Sequence, residues 1–563
     1  MEDVLRTAIT DALTELGYDE VGFSLEHPEN LVFGDYACNV AMVVAKQAGK
    51  APREIAELLN TALDGQIEYV EKIEVAGPGF LNFTLSRDFL TQEIARINKA
   101  GDSWGKGTTW EGKKVFVEYT DPNPFKEFHI GHMFTNTTGE SIARLFMMAG
   151  ADTKRLNYQG DVGLHVAHAL YGMQQLGCTA ESDFSARDLG KAYAHGATAY
   201  KNEVAGAKEA IRDINKKVYE RSDEEINTLY DKGREVSLAY FETIYKILDT
   251  KFDAYFFESE CAQKGKDLVL ANSAVFTDSD GAKVFEGEQY GLHTRVFLNS
   301  EGQPTYAAKE LALSKLKEEK LGVYDHSVIS TSNEIAEYFK VLKKAMSFVY
   351  PDLAEKTEHI GHGTVRLTTG KMSSRTGDVI SALDFIAEVT EAVQTKVREG
   401  AHSKEIGTEL AQDVAIGAIK YATLRSNILQ DSTFDKEQAL SFEGSSGPYL
   451  QYTHARICSA VEKAASLGLV ASTAVAPETP YVIERLLYRF PEVVLQALDN
   501  RQPHQVTTFI TELASAFNGF YSEEKIADRE DTYAPYKVAL AQAVAQTLKN
   551  GLWVLGIKAP MSM

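Results

Sequence analysis

Cysteine is scarce in this 563-residue chain, with Cys38, Cys178, Cys261 and Cys458 the only four. They lie far apart without a C-x-x-C pair, so neither a zinc cage nor a disulfide framework is written locally, and a reducing cytosol fits best. Long hydrophobic runs are missing too. None approaches the roughly 18 residues a membrane span needs, so no membrane role is expected. The N-terminus, MEDVLRTAITDALTELGY, has neither a basic region nor a continuous apolar stretch. Instead Val4, Ile9, Leu13 and Leu16 recur near helical spacing, the mark of folded protein rather than a leader. Positive charge is also in deficit: Lys and Arg number 58 against 80 Asp and Glu, a net charge of −22. A surface that binds nucleic acid all over needs clustered Lys and Arg, which excludes that class and any DNA partner. The deficit is uneven, however. From residue 441 onward ten basic residues face twelve acidic ones, a difference of −2, which leaves a basic face possible there.

Core material is ample, with 44% hydrophobic residues. Single cores stop growing near ~250–300 residues, so three or four domains are expected. Residues 1–105 predict a small α/β unit: an opening helix, a loop NLVFGDYACN, a helix that includes Pro52, and an alternating strand FLNFTLS after Gly77-Pro78-Gly79. GDSWGKG marks a boundary. Val115–Tyr119 then predicts a buried strand, followed by a Pro-rich turn and a helix over GHMFTNTTGESIARLFMMAG, with a second strand in TKRLNYQGDVG. This alternation is that of a parallel α/β sheet. A long, charged, helical insertion is expected over about 185–260, after which DLVLAN, KVFEGEQYGLHTRVFLN and SVIST carry strand signals that resume the sheet. Beyond 381 the pattern is helical to the end.

The tetrapeptide His129-Ile130-Gly131-His132 returns as His359-Ile360-Gly361-His362. The first copy follows a strand and opens a helix, where backbone N–H groups and the helix dipole attract phosphate. The second follows PDLAEKTE, predicts loop and strand, and is a recurrence without chemistry. Downstream, Lys371-Met372-Ser373-Ser374-Arg375 is basic and bracketed by Gly370 and Gly377, as suits a loop that closes on a departing pyrophosphate.

These two phosphate motifs, in this order around an α/β sheet with an insertion, resemble those of a class I aminoacyl-tRNA synthetase. VEYTDPNPFKEFHIGH, LNYQGDVG, GPYLQYTHARI, the N-terminal FGDYACNVA and VAGPGFLNFTL, and the ending LKNGLWVLGIKAP together resemble the arginyl-tRNA synthetase family. The resemblance covers nearly the whole chain. It implies a multidomain protein, part α/β and part all-α: a small N-terminal α/β domain (1–105) that touches the tRNA elbow, a Rossmann-like parallel-sheet catalytic domain with a helical insertion (106–381), and a C-terminal helical bundle that binds the anticodon (382–563). It further implies a cytoplasmic monomer that uses ATP with Mg2+, without zinc, to join L-arginine to tRNA(Arg).

By the same resemblance His129, Gly131, His132, Lys371, Ser373 and Ser374 contact ATP. Lys126 supplies the charge that Ser374 lacks where the family pattern more usually has a second lysine, and Arg375 stands one position away. Glu118, Asn123, Tyr306, Glu310 and Asn333 surround arginine, Glu310 standing where the family more often has Asp. Asp121 is a further departure, an extra carboxylate near the phosphates. Tyr449, Gln451, Tyr452, Arg456 and Phe520 offer stacking surfaces and donors to anticodon bases. Two other readings share parts of this pattern: another synthetase or adenylyltransferase of the same class, and a tRNA-binding protein that has lost catalysis.

Overall fold

A computed structural model describes residues 1–179, 181–367, 380–399 and 406–563. The N-terminal unit is a four-stranded antiparallel sheet in the spatial order Leu25–Glu26, Tyr36–Cys38, Phe80–Leu85, Val70–Ala76. Helices Glu2–Glu15 and Pro52–Leu63 cover it through Leu5, Ile9, Ile55 and Leu59, all fully buried. The segment NLVFGDYACN is not loop throughout. Tyr36 and Cys38 point inward from a short strand, which the neighbouring Gly and Asp residues mask in the sequence.

The central sheet has five parallel strands: β1 (Lys114–Glu118), β2 (Asp152–Gln159), β3 (Ala254–Phe257), β4 (His326–Ser332) and β5 (Thr357–His362), in the spatial order β5-β4-β1-β2-β3. Val115, Phe116 and Val117 are all fully buried, as befits a strand covered on both faces. Helix α1 (Ile130–Met148) makes the crossover from β1 to β2. Its Gly139 lies so close to strand β1's exit that a Cβ there would sit 2.3 Å from Tyr119.

The strand expectations need three corrections. DLVLAN lies in a helix, Glu258–Ala271, where a short apolar run cannot reveal its own period; Val269 is buried and Leu270 exposed. KVFEGEQYGLHTRVFLN yields two strands, Ala282–Phe285 and Arg295–Leu298, which pair antiparallel in a separate three-stranded sheet. The strand that resumes the parallel sheet is β3, inside the range assigned to the insertion. The insertion itself is helical, comprising Ala186–Lys201, Ala207–Glu220 and Glu224–Ile247.

Helices dominate the C-terminal part, although a short strand, Ser432–Phe434, interrupts them and pairs with Val365–Leu367. Two buried basic side chains tie this part to the rest, Arg144 to α1 and Lys420 to the end of the insertion helix Glu224–Ile247. Arg144 of α1 bonds Glu140 (2.8 Å), the carbonyl of Trp553 (2.9 Å) and that of Asp249 (2.9 Å). Lys420, on helix Thr408–Leu424, donates to the carbonyls of Leu248 (2.6 Å) and Gly556 (2.8 Å). Helix C-termini expose carbonyls without intrahelical partners, and these cations satisfy them. The N-terminal unit is clamped to the same bundle by Asp35, which accepts from Arg485 at 3.0 Å, and by the Arg87–Glu484 ion pair.

Candidate active site

The turn from β1 to α1 is strained. Thr120, Asp121 and Phe125 all have positive φ (81°, 44° and 68°), a region that residues with a side chain seldom adopt and that tends to mark functional turns. The turn delivers His129 to the N-cap of α1. There His129 Nδ1 accepts the backbone N–H of His132 (3.4 Å) and His132 Nδ1 accepts that of His129 (3.2 Å), with the rings stacked 3.7 Å apart. Burial and the neighbouring Lys126 ammonium push His129 down to about 4; burial, His129 and Lys126 push His132 well below its ordinary value. Both imidazoles are therefore neutral at pH 7. With each Nδ1 accepting, the single proton must sit on Nε2, so the helix start presents two fixed N–H donors.

Beside this turn, at the C-terminal ends of β1, β2 and β3, lies a cavity of about 370 Å3 lined by Asp121, Asn123, Tyr158, Gly160, Val162, Gly163, His165, Glu258, Tyr306 and Lys309. Open α/β sheets bind ligands at this edge. Gly160 is needed: a Cβ there would lie 2.3 Å from Asn123 Oδ1 and 3.2 Å from Glu258 Oε1.

Below the cavity Glu118 pairs with the buried Lys317 at 2.8 Å, and Glu310 lies close enough to feel the charge of both. Burial and then the charge of Glu118 push Glu310 up to about 8, and the same two causes hold Asp121 well above the usual carboxylate range. Three carboxylates thus share one ammonium.

The five residues expected around arginine are only partly brought together. Asn123 and Tyr306 line the cavity, Glu118 and Glu310 lie beneath it, and Asn333 is exposed at the end of β4, apart from the lining. Sequence reasoning missed Glu258, Lys309 and His165. Lys126 stacks on Tyr193 of the insertion, 4.6 Å from the ring centroid. Lys371, Ser373, Ser374 and Arg375 fall outside the described residues. The chain is next described at Ile380, whose carbonyl accepts the N–H of Ile130 at 3.2 Å, beside the first His-Ile-Gly-His.

The second copy is strand β5. His359 stacks on Phe339 at 3.9 Å, and His362 Nε2 meets Thr135 of α1 at 3.0 Å. His362 thus ties the sheet edge to the helix that the first copy opens, and His359 packs it onto the helix Ala336–Val349.

In the C-terminal bundle Tyr449, Tyr452 and Arg456 share one surface. Arg456 donates to Asn518 (3.2 Å) and lies 4.8 Å from the Tyr452 ring centroid, while Asn518 donates to the Tyr449 hydroxyl (2.9 Å). Gln451 and Phe520 are corrections. Gln451 is fully buried and donates to the carbonyl of Lys558, and Phe520 is buried against Tyr481, so neither presents an edge to a base.

The profile described as "tRNA synthetases class I (R), catalytic domain" matches residues 90–436, more than half of the chain. The chain belongs to the class I arginyl-tRNA synthetases. Two further profiles flank the synthetase core: "Arginyl tRNA synthetase N terminal domain" over residues 3–85 and "DALR anticodon binding domain" over 450–563. The synthetase is 30% identical over 577 residues to an arginine–tRNA ligase of Clostridioides difficile, covering 100% of each chain. It is also 30% identical over 552 residues to that of Clostridium botulinum, covering 97% of this chain and 96% of the relative. Among solved structures, the arginyl-tRNA synthetase of Thermus thermophilus superposes with a TM-score of 0.83 at 26% identity, covering 100% of both chains.

Proposed function

We propose that this chain is an arginine–tRNA ligase, which activates L-arginine with ATP to arginyl-adenylate and pyrophosphate, then transfers arginine to the 3′-terminal adenosine of tRNA(Arg). The observation that carries the reading is the pair of neutral imidazoles with fixed Nε2–H donors, at a helix start, beside a cavity walled by carboxylates. In activation the arginine carboxylate attacks the α-phosphorus, and negative charge grows on the phosphate oxygens as pyrophosphate leaves. Catalysis of such a transfer rests on positioning and charge stabilisation. His129 and His132 donate to those oxygens without carrying charge themselves, and the dipole of α1 adds to their field. Lys126 can swing from Tyr193 to the triphosphate.

Asn123 orients the amino or carboxylate group of arginine, and Tyr306, Asp121 and Glu258 receive the guanidinium, whose planar fork favours carboxylates. Glu118 and Glu310 add negative potential from below. Among the described residues no cluster of His, Cys, Asp or Glu could hold a metal ion, so Mg2+ would arrive on the triphosphate and share its charge there. Lys371, Ser373, Ser374 and Arg375 belong to the ATP contacts by their motif alone. Tyr449, Tyr452 and Arg456 read the anticodon. No helix among the described residues is long and apolar enough to cross a membrane, and we assign the enzyme to the cytoplasm as a monomer.

The test is ATP–pyrophosphate exchange with each of the twenty amino acids, with and without total tRNA. Exchange with arginine alone supports the reading. Exchange with another amino acid overturns the pocket, and none under any condition favours a tRNA-binding protein.

A further inference from the structure

One face of the insertion helix Glu224–Ile247, made by Tyr230, Gly233, Arg234 and Ser237, meets the C-terminal ends of all three strands that border the arginine cavity. At the exit of β1 it holds the strained turn. The Ser237 hydroxyl accepts the N–H of Phe125 at 2.9 Å, the Tyr230 ring stacks on Phe125, and a Cβ on Gly233 would lie 2.3 Å from the Phe125 ring. At the exit of β2 it holds Asp161, a fully buried carboxylate that accepts from Arg234 Nε at 3.0 Å and from the Tyr230 hydroxyl at 3.3 Å. At the exit of β3 the Arg234 guanidinium lies 4.0 Å from the Phe257 ring centroid. Asp161 also joins the last two exits directly, because it accepts the N–H (2.8 Å) and the hydroxyl (2.7 Å) of Ser259, in the first turn of the helix that follows β3.

These contacts fix distances inside the cavity. Asn123 stands between Asp121 and Phe125, both at positive φ, a conformation that persists only where the surroundings over-determine it. Gly160 immediately precedes Asp161 and packs against the Asn123 amide. The His129 side of the same turn is held by other bonds, from Ile130 N–H to the Ile380 carbonyl and from Ala382 N–H to the Phe128 carbonyl. The amino-acid and nucleotide halves of the site are thus braced separately. We propose that this helix face positions the arginine site, with Arg234 and Ser237 as positioning residues: Ser237 holds the turn that carries Asn123, and Arg234, through Asp161, holds Gly160 against it. The proposal rests on the arginine reading above. It gives the insertion a part in amino-acid affinity, although none of these four residues is among those that line the cavity. A purely structural brace would instead lower stability without separating the two substrates.

The test is ATP–pyrophosphate exchange in the presence of tRNA on the wild type and on Arg234→Met, Arg234→Lys, Ser237→Ala and Asp231→Ala, with KM taken for arginine and for ATP and Tm measured beside them. Arg234→Met keeps an apolar stem near Phe257 but takes the cation from Asp161. It should raise the KM for arginine about tenfold, part of the roughly 10²-fold that a misplacement of about 1 Å can cost, and leave the KM for ATP and kcat within about twofold. Arg234→Lys returns a cation to Asp161 and should recover most of that loss. Ser237→Ala leaves the Phe125 N–H without its acceptor and should raise the KM for arginine severalfold. Asp231→Ala breaks an exposed ion pair with Arg221 on another side of the same helix and should change neither KM. Equal rises in both KM values in Arg234→Met, or a lowered Tm with both unchanged, overturn the proposal. An unchanged KM for arginine in Ser237→Ala overturns it too, and that outcome stands even if Arg234→Met fails to fold. Absence of arginine-dependent exchange in the wild type would instead sink the functional reading.

Discussion

Raising the pH from 7 to 9 is expected to tighten arginine binding. Glu118, Asp121 and Glu310 share the single ammonium of Lys317; the amide of Tyr158 also faces Asp121, while the Tyr306 hydroxyl and the more distant charge of Glu258 act on Glu310. With burial and Glu118 pushing Glu310 up to about 8, this group is mostly protonated at pH 7. A guanidinium in the cavity supplies a second positive charge and favours the ionised form. Releasing the proton at pH 7 from a group that titrates near 8 costs about 1.4 kcal/mol, a factor of about ten in affinity, and at pH 9 it costs almost nothing. The KM for arginine in the exchange assay should therefore fall about tenfold over this interval and level off above pH 8. Glu310→Gln removes the titrating group and should flatten the profile. Stability moves the other way. The folded state keeps a proton that the unfolded chain releases above about 4.5, so this group's contribution is lost as pH rises through about 8. The arginine-induced gain in Tm should accordingly be larger at pH 9 than at pH 7. A KM that is flat between pH 7 and 9, or a slope that survives in Glu310→Gln, refutes the reasoning.

Other outcomes follow from the same geometry. His132→Ala removes an Nε2–H donor aimed at developing charge and should lower the exchange rate about 10²–10³-fold, while tRNA binding, read by filter retention, stays within about twofold. Gly139→Ala places a Cβ 2.3 Å from Tyr119, so overpacking should destabilise the fold by about 1–3 kcal/mol, read as a lowered Tm. Burial pushes the Lys420 amine down to about 7 against an ordinary 10.5, so its penalty is full below pH 7 and relaxes as pH rises above it. The difference in Tm between wild type and Lys420→Met should therefore shift in favour of the wild type between pH 7 and 9. Arg456→Ala and Asn518→Ala should each raise the KM for tRNA about tenfold, the worth of one stacking or charge-assisted contact, with little change in kcat.

The start of α1 was legible because strand, Pro-rich turn and helix follow one another within thirty residues, and a helix N-terminus has a local signature. Asn123 and Tyr306 could be carried over from motif positions for the same reason. Glu258 and Lys309 could not. They stand 51 residues apart, each looks like an ordinary charged residue on a helix, and only the parallel register of β2 and β3 brings Glu258 beside Gly160. DLVLAN misled because six residues are too few to separate a period of 2 from one of 3.6. Gln451 and Phe520 misled because helical spacing shows which residues share a face but not whether that face meets solvent. Asn333 sits at the crevice rim rather than in the cavity, since the short turn after β4 carries it outward.

The bonds that Arg144 and Lys420 make with the end of the chain also bear on the order of events during synthesis. Arg144 and Lys420 find their acceptors at Trp553 and Gly556, more than a hundred residues further along the chain. Until translation has passed Gly556, Arg144 keeps Glu140 and Asp249 but lacks the Trp553 carbonyl, and Lys420 keeps Leu248 but lacks Gly556. The helix that presents His129 and His132 therefore gains its last tertiary bond only after the C-terminal helix has formed. Truncation before Trp553 should accordingly loosen the anchorage of α1 as well as the bundle.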